Sequence, residues 1–254
     1  MPESAIAEPI PAATLVVFRD RPDGPSDLLI VERARAMVFA GGALVFPGGR
    51  IDPADHALAR LTAPDDPYAA GRIAAIRETI EEAGLPVGLS PMPDVATLAA
   101  IRAALHAGTA FAAALHDHAI RLDLAALTPF ARWCPRHRHM RIFDTLFFLA
   151  ALPDGSPEPI VDATENSRVL WASAQQVLDD ADAGKVSIIF PTRRNLERLA
   201  LFTSHADAVA DTRSRELRTV TPWAETRDGI EYLCIPDDLG YPVTAEAMSD
   251  TRRG

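Results

Sequence analysis

Cysteine is nearly absent: Cys134 and Cys234 stand far apart, and neither belongs to a Cys-x-x-Cys pair. Such a chain has no disulfide framework to lean on, and its expected setting is a reducing cytosol. Basic charge is also scarce, with 25 Lys and Arg against 35 Asp and Glu and a formal net charge of -10. No basic stripe is available to neutralise a phosphate backbone, so nucleic acid is not an expected partner. An anionic small molecule would have to be met locally, by a metal ion and a few arginines. No apolar run approaches the roughly 18 residues of a membrane span, and residues 1–11 carry two glutamates and none of the basic charge that opens a secretory leader. The expectation is a cytoplasmic protein with no membrane contact. Also missing are an internal repeat, a Gly-x-Gly-x-x-Gly turn, a Gly-Lys-Ser/Thr loop and a Gly-x-Ser-x-Gly elbow. What remains is 48% hydrophobic and 24% charged over 254 residues, enough for one substantial globular domain with an appendage.

The most informative stretch runs from Phe46 to Leu85. At 100° per residue, Ile73, Ile76, Ile80 and Ala83 share one side of a helix, while Glu78, Glu81 and Glu82 gather on the other. Gly84 followed by Pro86 reads as the helix stop. The three glutamates therefore sit in the last two turns, where the macrodipole disfavours anions by roughly 0.3–1 kcal/mol each. They also repel one another at i,i+3 and i,i+4 spacing. A local rule broken this way points to function, and three hard oxygen donors on one face suit a divalent cation such as Mg²⁺. A solvated acidic face with Arg77 as partial counter-charge is the plainer alternative. Upstream, an apolar run ends in Phe46-Pro47-Gly48-Gly49, where glycine lets backbone approach a ligand closely.

Together these two pieces resemble the Nudix box. Gly49 opens the signature, Asp55 stands where its first glutamate belongs, and Arg77 to Leu85 matches Arg-Glu-apolar-x-Glu-Glu-x-Gly-apolar except for Thr79. The run from His56 to Ile76 is 21 residues where the pattern has seven, so 14 residues are added. Such an insert is tolerable, because loop closure entropy grows only logarithmically with length. Within it residues 53–61 read as a short helix, and Asp66-Pro67 reads as the N-cap and first position of the glutamate helix.

Further stretches resemble one subset of that family. Arg33, Gly42, Phe46, Pro47, Gly48 and Gly49 fit the spacing of a motif that precedes the box in Nudix enzymes acting on coenzyme A, with Val38 where its second arginine would stand. The long insert and the Phe143-Asp144-Thr145 strand are similar to the peroxisomal coenzyme A diphosphatases and their bacterial relatives. Glu165 matches an acidic residue that serves in the family as general base or metal partner. Arg33 and Arg35 read equally as phosphate-binding groups or as ordinary charge at a strand end.

Around these motifs, residues 12–18 and 27–31 read as a hairpin, and 127–134 and 145–152 as strands. Residues 94–107 and 111–119 read as two inserted helices. The connector at 135–141 is rich in Arg and His but fits no closed zinc site. A serine-capped helix follows at 173–183. Then come residues 186–190, a helix at 192–203 with Arg193, Arg194 and Arg198, a hairpin at Asp228-Gly229, and a loose run from 236 to 254. The expected organisation is a catalytic domain at 10–185, with a helical insert at about 94–120, and an extension at 186–254 packed on its core.

The resemblance implies an α/β fold with a mixed sheet between helices. It also implies Mg²⁺- or Mn²⁺-dependent hydrolysis of a small-molecule diphosphate, coenzyme A or acyl-CoA being a candidate, with a homodimer left open. Metal would be held by Gly48, Glu78, Glu81 and Glu82. Glu81, Glu165 and Arg77 would serve catalysis, and Arg33, Arg35 and Phe46 the substrate. A nucleotide-binding module without turnover is the alternative.

Overall fold

The computed structural model describes residues 8–37, 40–135, 142–162 and 165–249. Its spine is β1 (Ile10–Arg19). Strand alternation sends Ala13, Leu15 and Val17 to one face and Val16 and Phe18 to the other. All five are buried, so the strand is covered on both sides. β2 (Asp27–Arg33) pairs antiparallel with its end, Phe18 opposite Leu28, as the hairpin reading requires. β8 (Phe143–Ala151) runs parallel to it from Ile10–Phe143 to Phe18–Ala151. β3 (Leu44–Val45) and β9 (Asn166–Ala172) both pair with β2, and β7 (Thr128–Trp133) pairs with β8. β4 (Gly48–Arg50) takes the start of β1, Ala13 opposite Gly49. β10 (Thr219–Val220) completes a mixed eight-stranded sheet by pairing with β7.

Helices cover the two faces separately. On one lie α1 (Pro53–Thr62), α2 (Ala69–Ala83), α3 (Val95–His106) and α4 (Phe111–Asp117), packed against Ala13, Leu15, Val17 and Leu29. The two-strand ribbon of β5 (Leu89–Ser90) with β6 (Arg121–Leu122) brackets α3 and α4, the inserted pair. On the other face, α5 (Ala174–Asp182), α6 (Phe190–Leu199) and α7 (His205–Arg213) pack against Val16, Phe18, Leu28 and Ile30. The small sheet of β11 (Trp223–Arg227), β12 (Ile230–Cys234) and β13 (Ala245–Ala247) joins that side. Asp228 and Gly229 connect β11 to β12 with φ of 50° and 81°, the paired positive values a tight Asp-Gly hairpin needs. Neither cysteine is in a disulfide, and both are buried. No helix among the described residues is long and apolar enough to cross a membrane.

Several boundaries differ from the sequence reading. α2 begins at Ala69, not at Asp66-Pro67. The Asp66 carboxylate instead accepts the Tyr68 N–H at 2.9 Å, a local turn, and pairs with Arg72. α6 begins at Phe190, because Pro191 is tolerated in a first turn. α7 was not anticipated; its weakly patterned sequence is started by Ser204, whose hydroxyl accepts the Asp207 N–H. Residues 236–249 are not loose, since Leu239 and Tyr241 are buried and β13 pairs with β12. Val38, the rest of the basic connector after Pro135, and residues 250–254 lie outside the described residues.

α2 sits close to the sheet because Gly71 has no side chain. A Cβ there would lie 3.0 Å from Leu146 Cδ1 and 3.2 Å from Phe148 Cζ. Replacing Gly71 with valine should therefore destabilise the protein by about 1–3 kcal/mol through overpacking. Equilibrium urea unfolding measures it, and an unchanged midpoint would mean the helix can move off the sheet freely.

Candidate active site

α2 carries the acidic face expected of it, but the burial is deeper than a solvated face allows. Ile73, Ile76, Ile80 and Ala83 are fully buried on the core side. Thr79, the one departure from the apolar pattern, is also fully buried and donates its hydroxyl to Ala75 O at 2.7 Å, so its polarity is satisfied within the helix. Gly84 ends the helix in the left-handed region, φ 65°, with its N–H on Ile80 O. The macrodipole is answered from the insert. Arg102 donates to Glu81 O from Nε at 3.0 Å and Nη2 at 2.8 Å, and His106 Nε2 lies 3.1 Å from the same oxygen.

Arg77 organises the carboxylates. Its Nη1 donates to Glu78 Oε1 and Glu81 Oε2, both at 2.8 Å. Its Nε and Nη2 grip Asp55 at 3.2 and 2.9 Å, and Nη2 also reaches Arg50 O at 3.0 Å. Burial alone would lower the Arg77 pKa, but the bond to Asp55 and the fields of Glu78, Asp55 and Glu81 outweigh it and hold the guanidinium charged. Asp55 is itself buried and accepts the Asp52 N–H at 2.9 Å. The residue at the first-glutamate position thus anchors the arginine.

Glu78 and Glu82 lie under the glycine turn. The Gly48 N–H donates to Glu82 Oε2 at 3.0 Å. A Cβ on Gly49 would fall 2.4 Å from the Glu78 carboxyl carbon and push that carboxylate aside, whereas one on Gly48 would meet backbone, 2.4 Å from Ala13 O. Burial, reinforced by the charge of Glu78, pushes Glu82 up to about 8 despite the Gly48 N–H, the nearby Asn166 amide and Arg33. Burial likewise pushes Glu78 up to about 7 against the opposing pull of Arg77. Glu81 is raised for the same first cause. The donor set fits a hard cation: buried oxygen donors short of positive charge, beside a turn with no side chain in the way. Among the described residues, however, no three acidic, His or Cys side chains already converge as metal ligands. Glu78 and Glu81 are turned to Arg77, which is the physical reason.

A cavity of about 620 Å³ opens over this turn. Arg33, Phe46, Gly48, Glu78 and Glu165 line it, whereas Glu81, Glu82 and Arg35 do not. Glu81 is held behind on Arg77, Glu82 is buried beneath Gly48, and Arg35 is exposed, next to the lining residues Ala36 and Met37. The Glu165 side chain is 58% exposed, with Oε2 3.7 Å from Arg33 Nη2. Thr14, Arg50 and Asp52 also line the cavity, and no motif had marked them; Thr145, from the Phe143-Asp144-Thr145 strand, lines it too. Asn166 was missed as well. It is 1% exposed and stands opposite Arg33 at a register shift between β2 and β9; among the described residues, neither its side-chain amide nor Arg33 Nε makes a hydrogen bond of full geometry, although the amide lies close enough to Glu82 to favour its charged form. Only the pairing of β2 with β9 brings it under Glu82.

No protein-family model matches the chain. It is 26% identical over 283 residues to the acyl-coenzyme A diphosphatase NUDT19 of Gallus gallus, covering 87% of this chain and 75% of that protein. To the Homo sapiens protein of the same name it is 27% identical over 277 residues, covering 84% and 72%. Among solved structures, a Nudix hydrolase from Alicyclobacillus acidocaldarius superposes with a TM-score of 0.71 at 29% identity, over 81% of this chain and 97% of the other.

A pH dependence follows from the buried glutamates. Their folded pKa values of about 7 and 8 exceed the ordinary 4.5, so the fold binds more protons than the unfolded chain. Their contribution to stability is present at low pH and is lost as pH rises through 7 to 8. In EDTA, the melting temperature should therefore fall between pH 5.5 and about 8.5, and Glu82→Gln should flatten that fall and raise the value at the alkaline end. A steeper fall in the variant would mean that Glu82 is stabilising as an anion.

Proposed function

We propose that this chain, a Nudix hydrolase that cleaves phosphoric anhydrides, acts on coenzyme A or its acyl esters with Mg²⁺ or Mn²⁺ as activating ion. The observation that carries the reading is the pair of Glu82, buried beneath the Gly48-Gly49 turn, and Glu78, half-buried at the edge of a cavity large enough for a cofactor-sized substrate. Glu78 and Glu82, with Glu81 and the Gly48 carbonyl to complete the set, would hold the ion. When bound, it neutralises charge on the diphosphate oxygens and on the leaving phosphate.

The chain's own groups do the rest. Arg33, on the cavity wall beside Glu165, offers its guanidinium to a substrate phosphate. The glycine turn lets the diphosphate approach the backbone without meeting a side chain. Glu165 Oε2, open to solvent on the same wall, is placed to accept the proton of the attacking water. It suits that task better than Glu81, whose carboxylate is engaged by Arg77. Arg77 and Asp55 fix the glutamates in position. Cleavage yields 4′-phosphopantetheine, free or acylated, and adenosine 3′,5′-bisphosphate.

The test is turnover of coenzyme A beside ADP-ribose and a diadenosine polyphosphate, with Mg²⁺, Mn²⁺ or EDTA. Coenzyme A should be cut only with metal, Glu82→Gln should abolish the activity, and Asp55→Asn should cost less because Asp55 acts through Arg77. Activity in EDTA equal to that in Mg²⁺ would defeat the metal reading. Efficient cleavage of ADP-ribose with coenzyme A untouched would defeat the substrate reading.

A further inference from the structure

The cavity wall has two regions of different origin. Arg33, Arg50, Asp52, Glu78 and Glu165 come from β2, β4, α2 and the adjoining loops, around the glycine turn. The remainder is mainly hydrocarbon and includes Trp133, Phe147, Ile189, Phe190, Pro222 and Leu233. Trp133, Phe147, Phe190 and Leu233 belong to one packed cluster, so these groups form a continuous surface. Trp133 stands edge to face with Phe190, ring centroids 6.1 Å apart. Four of these six, Ile189, Phe190, Pro222 and Leu233, are supplied from beyond α5, by the start of α6, by the loop before β11 and by β12.

That surface is poorly suited to a nucleobase or a phosphate. The indole N–H of Trp133 is already spent on Tyr241 Oη at 2.9 Å and Asn195 Oδ1 at 3.3 Å, so it gives a ligand no donor. A base buried there would leave ring nitrogens unpaired, and a phosphate would find no cation, since the described cations of the wall are Arg33 and Arg50 beside the turn. A hydrocarbon chain leaves no polar group unpaired, and each methylene it buries is driven in by the hydrophobic effect.

We infer that the Trp133–Phe190–Leu233 surface is a subsite for the apolar group on the phosphopantetheine side of the substrate, so that the enzyme selects long acyl esters over free coenzyme A. The inference rests on the coenzyme A reading above and adds the direction in which the substrate lies. The adenosine bisphosphate half then extends from the glycine turn toward solvent, away from the hydrocarbon wall. Burial of one methylene corresponds to about a fourfold gain, so kcat/KM should climb steeply with chain length until the cavity is filled.

The experiment measures kcat/KM for free coenzyme A, acetyl-CoA and straight-chain esters of increasing length, with the whole chain and saturating Mg²⁺. A rise of at least about tenfold from acetyl to a medium-chain ester is expected, from several methylenes at that increment. Ile189→Asp places a carboxylate in this surface at the N-cap of α6, where aspartate is well tolerated, so the variant should fold. It should flatten the dependence on chain length. As a second readout, acylated 4′-phosphopantetheine should inhibit more strongly as its chain grows, while adenosine 3′,5′-bisphosphate should inhibit wild type and Ile189→Asp alike. Hydrolysis of all esters at one rate, or an unchanged slope in Ile189→Asp, overturns the subsite and leaves the coenzyme A reading intact. Failure to cleave any coenzyme A compound while another diphosphate is cleaved overturns both.

Discussion

The site depends on one guanidinium. Arg77 lies in the same helix as the glutamates it holds, and it bonds two of them, Asp55 and a backbone carbonyl of β4 at once. Without it, the carboxylates of α2 would be buried anions repelling one another near the negative end of a helix dipole. With it, Glu78 and Glu81 are drawn aside while Glu82 hangs from Gly48, and the glycine turn is tied to the helix through Arg50. A lysine has one compact charge and could not make this fork of contacts. Asp55 explains how a long insert can interrupt the signature harmlessly. Its shorter side chain does not have to reach a ligand; it has to meet Arg77, and α1 brings it there.

Everything else supports that arrangement from two sides of one sheet. On the α2 side, the inserted helix α3 returns Arg102 and His106 to the Glu81 carbonyl, so an element that looks accessory offsets the dipole strain. On the other side, the chain after α5 completes the core and supplies hydrocarbon to the cavity. The chain after residue 185, expected as an extension packed on the core, shares that core closely: β10 joins the main sheet, and Ser187 bridges to Ala43.

Most of the candidate site's layout was legible in sequence because it is written in local spacing. The Phe46-Pro47-Gly48-Gly49 turn and the Arg77–Leu85 run are each contiguous, and the glutamate face follows from helical period alone. What was hidden depends on contacts between distant residues. The partnership of Asp55 and Arg77 spans 22 positions, that of Arg102 and Glu81 spans 21, and the Trp133–Tyr241 contact spans 108. Asn166 belongs to no motif and matters only through its strand register. The placement of Glu81 and Arg35 off the cavity wall could not be read from residue type, which marks a group as able to bind but not where it points. The start of α2 was misjudged because Asp66-Pro67 makes a good cap and an equally good turn, and Arg72 favoured the turn.

Binding of Mn²⁺ to the metal-free protein tests most directly whether this acidic face is a cation site. The signal of free Mn²⁺ in electron paramagnetic resonance can be followed during titration of wild type, Glu78→Gln, Glu82→Gln and the exposed control Asp154→Asn. Binding is expected in wild type and in the control, weakened at least about tenfold in each glutamate variant, as loss of a charged oxygen donor requires. Equal affinity in all four proteins would contradict a cation site on this face.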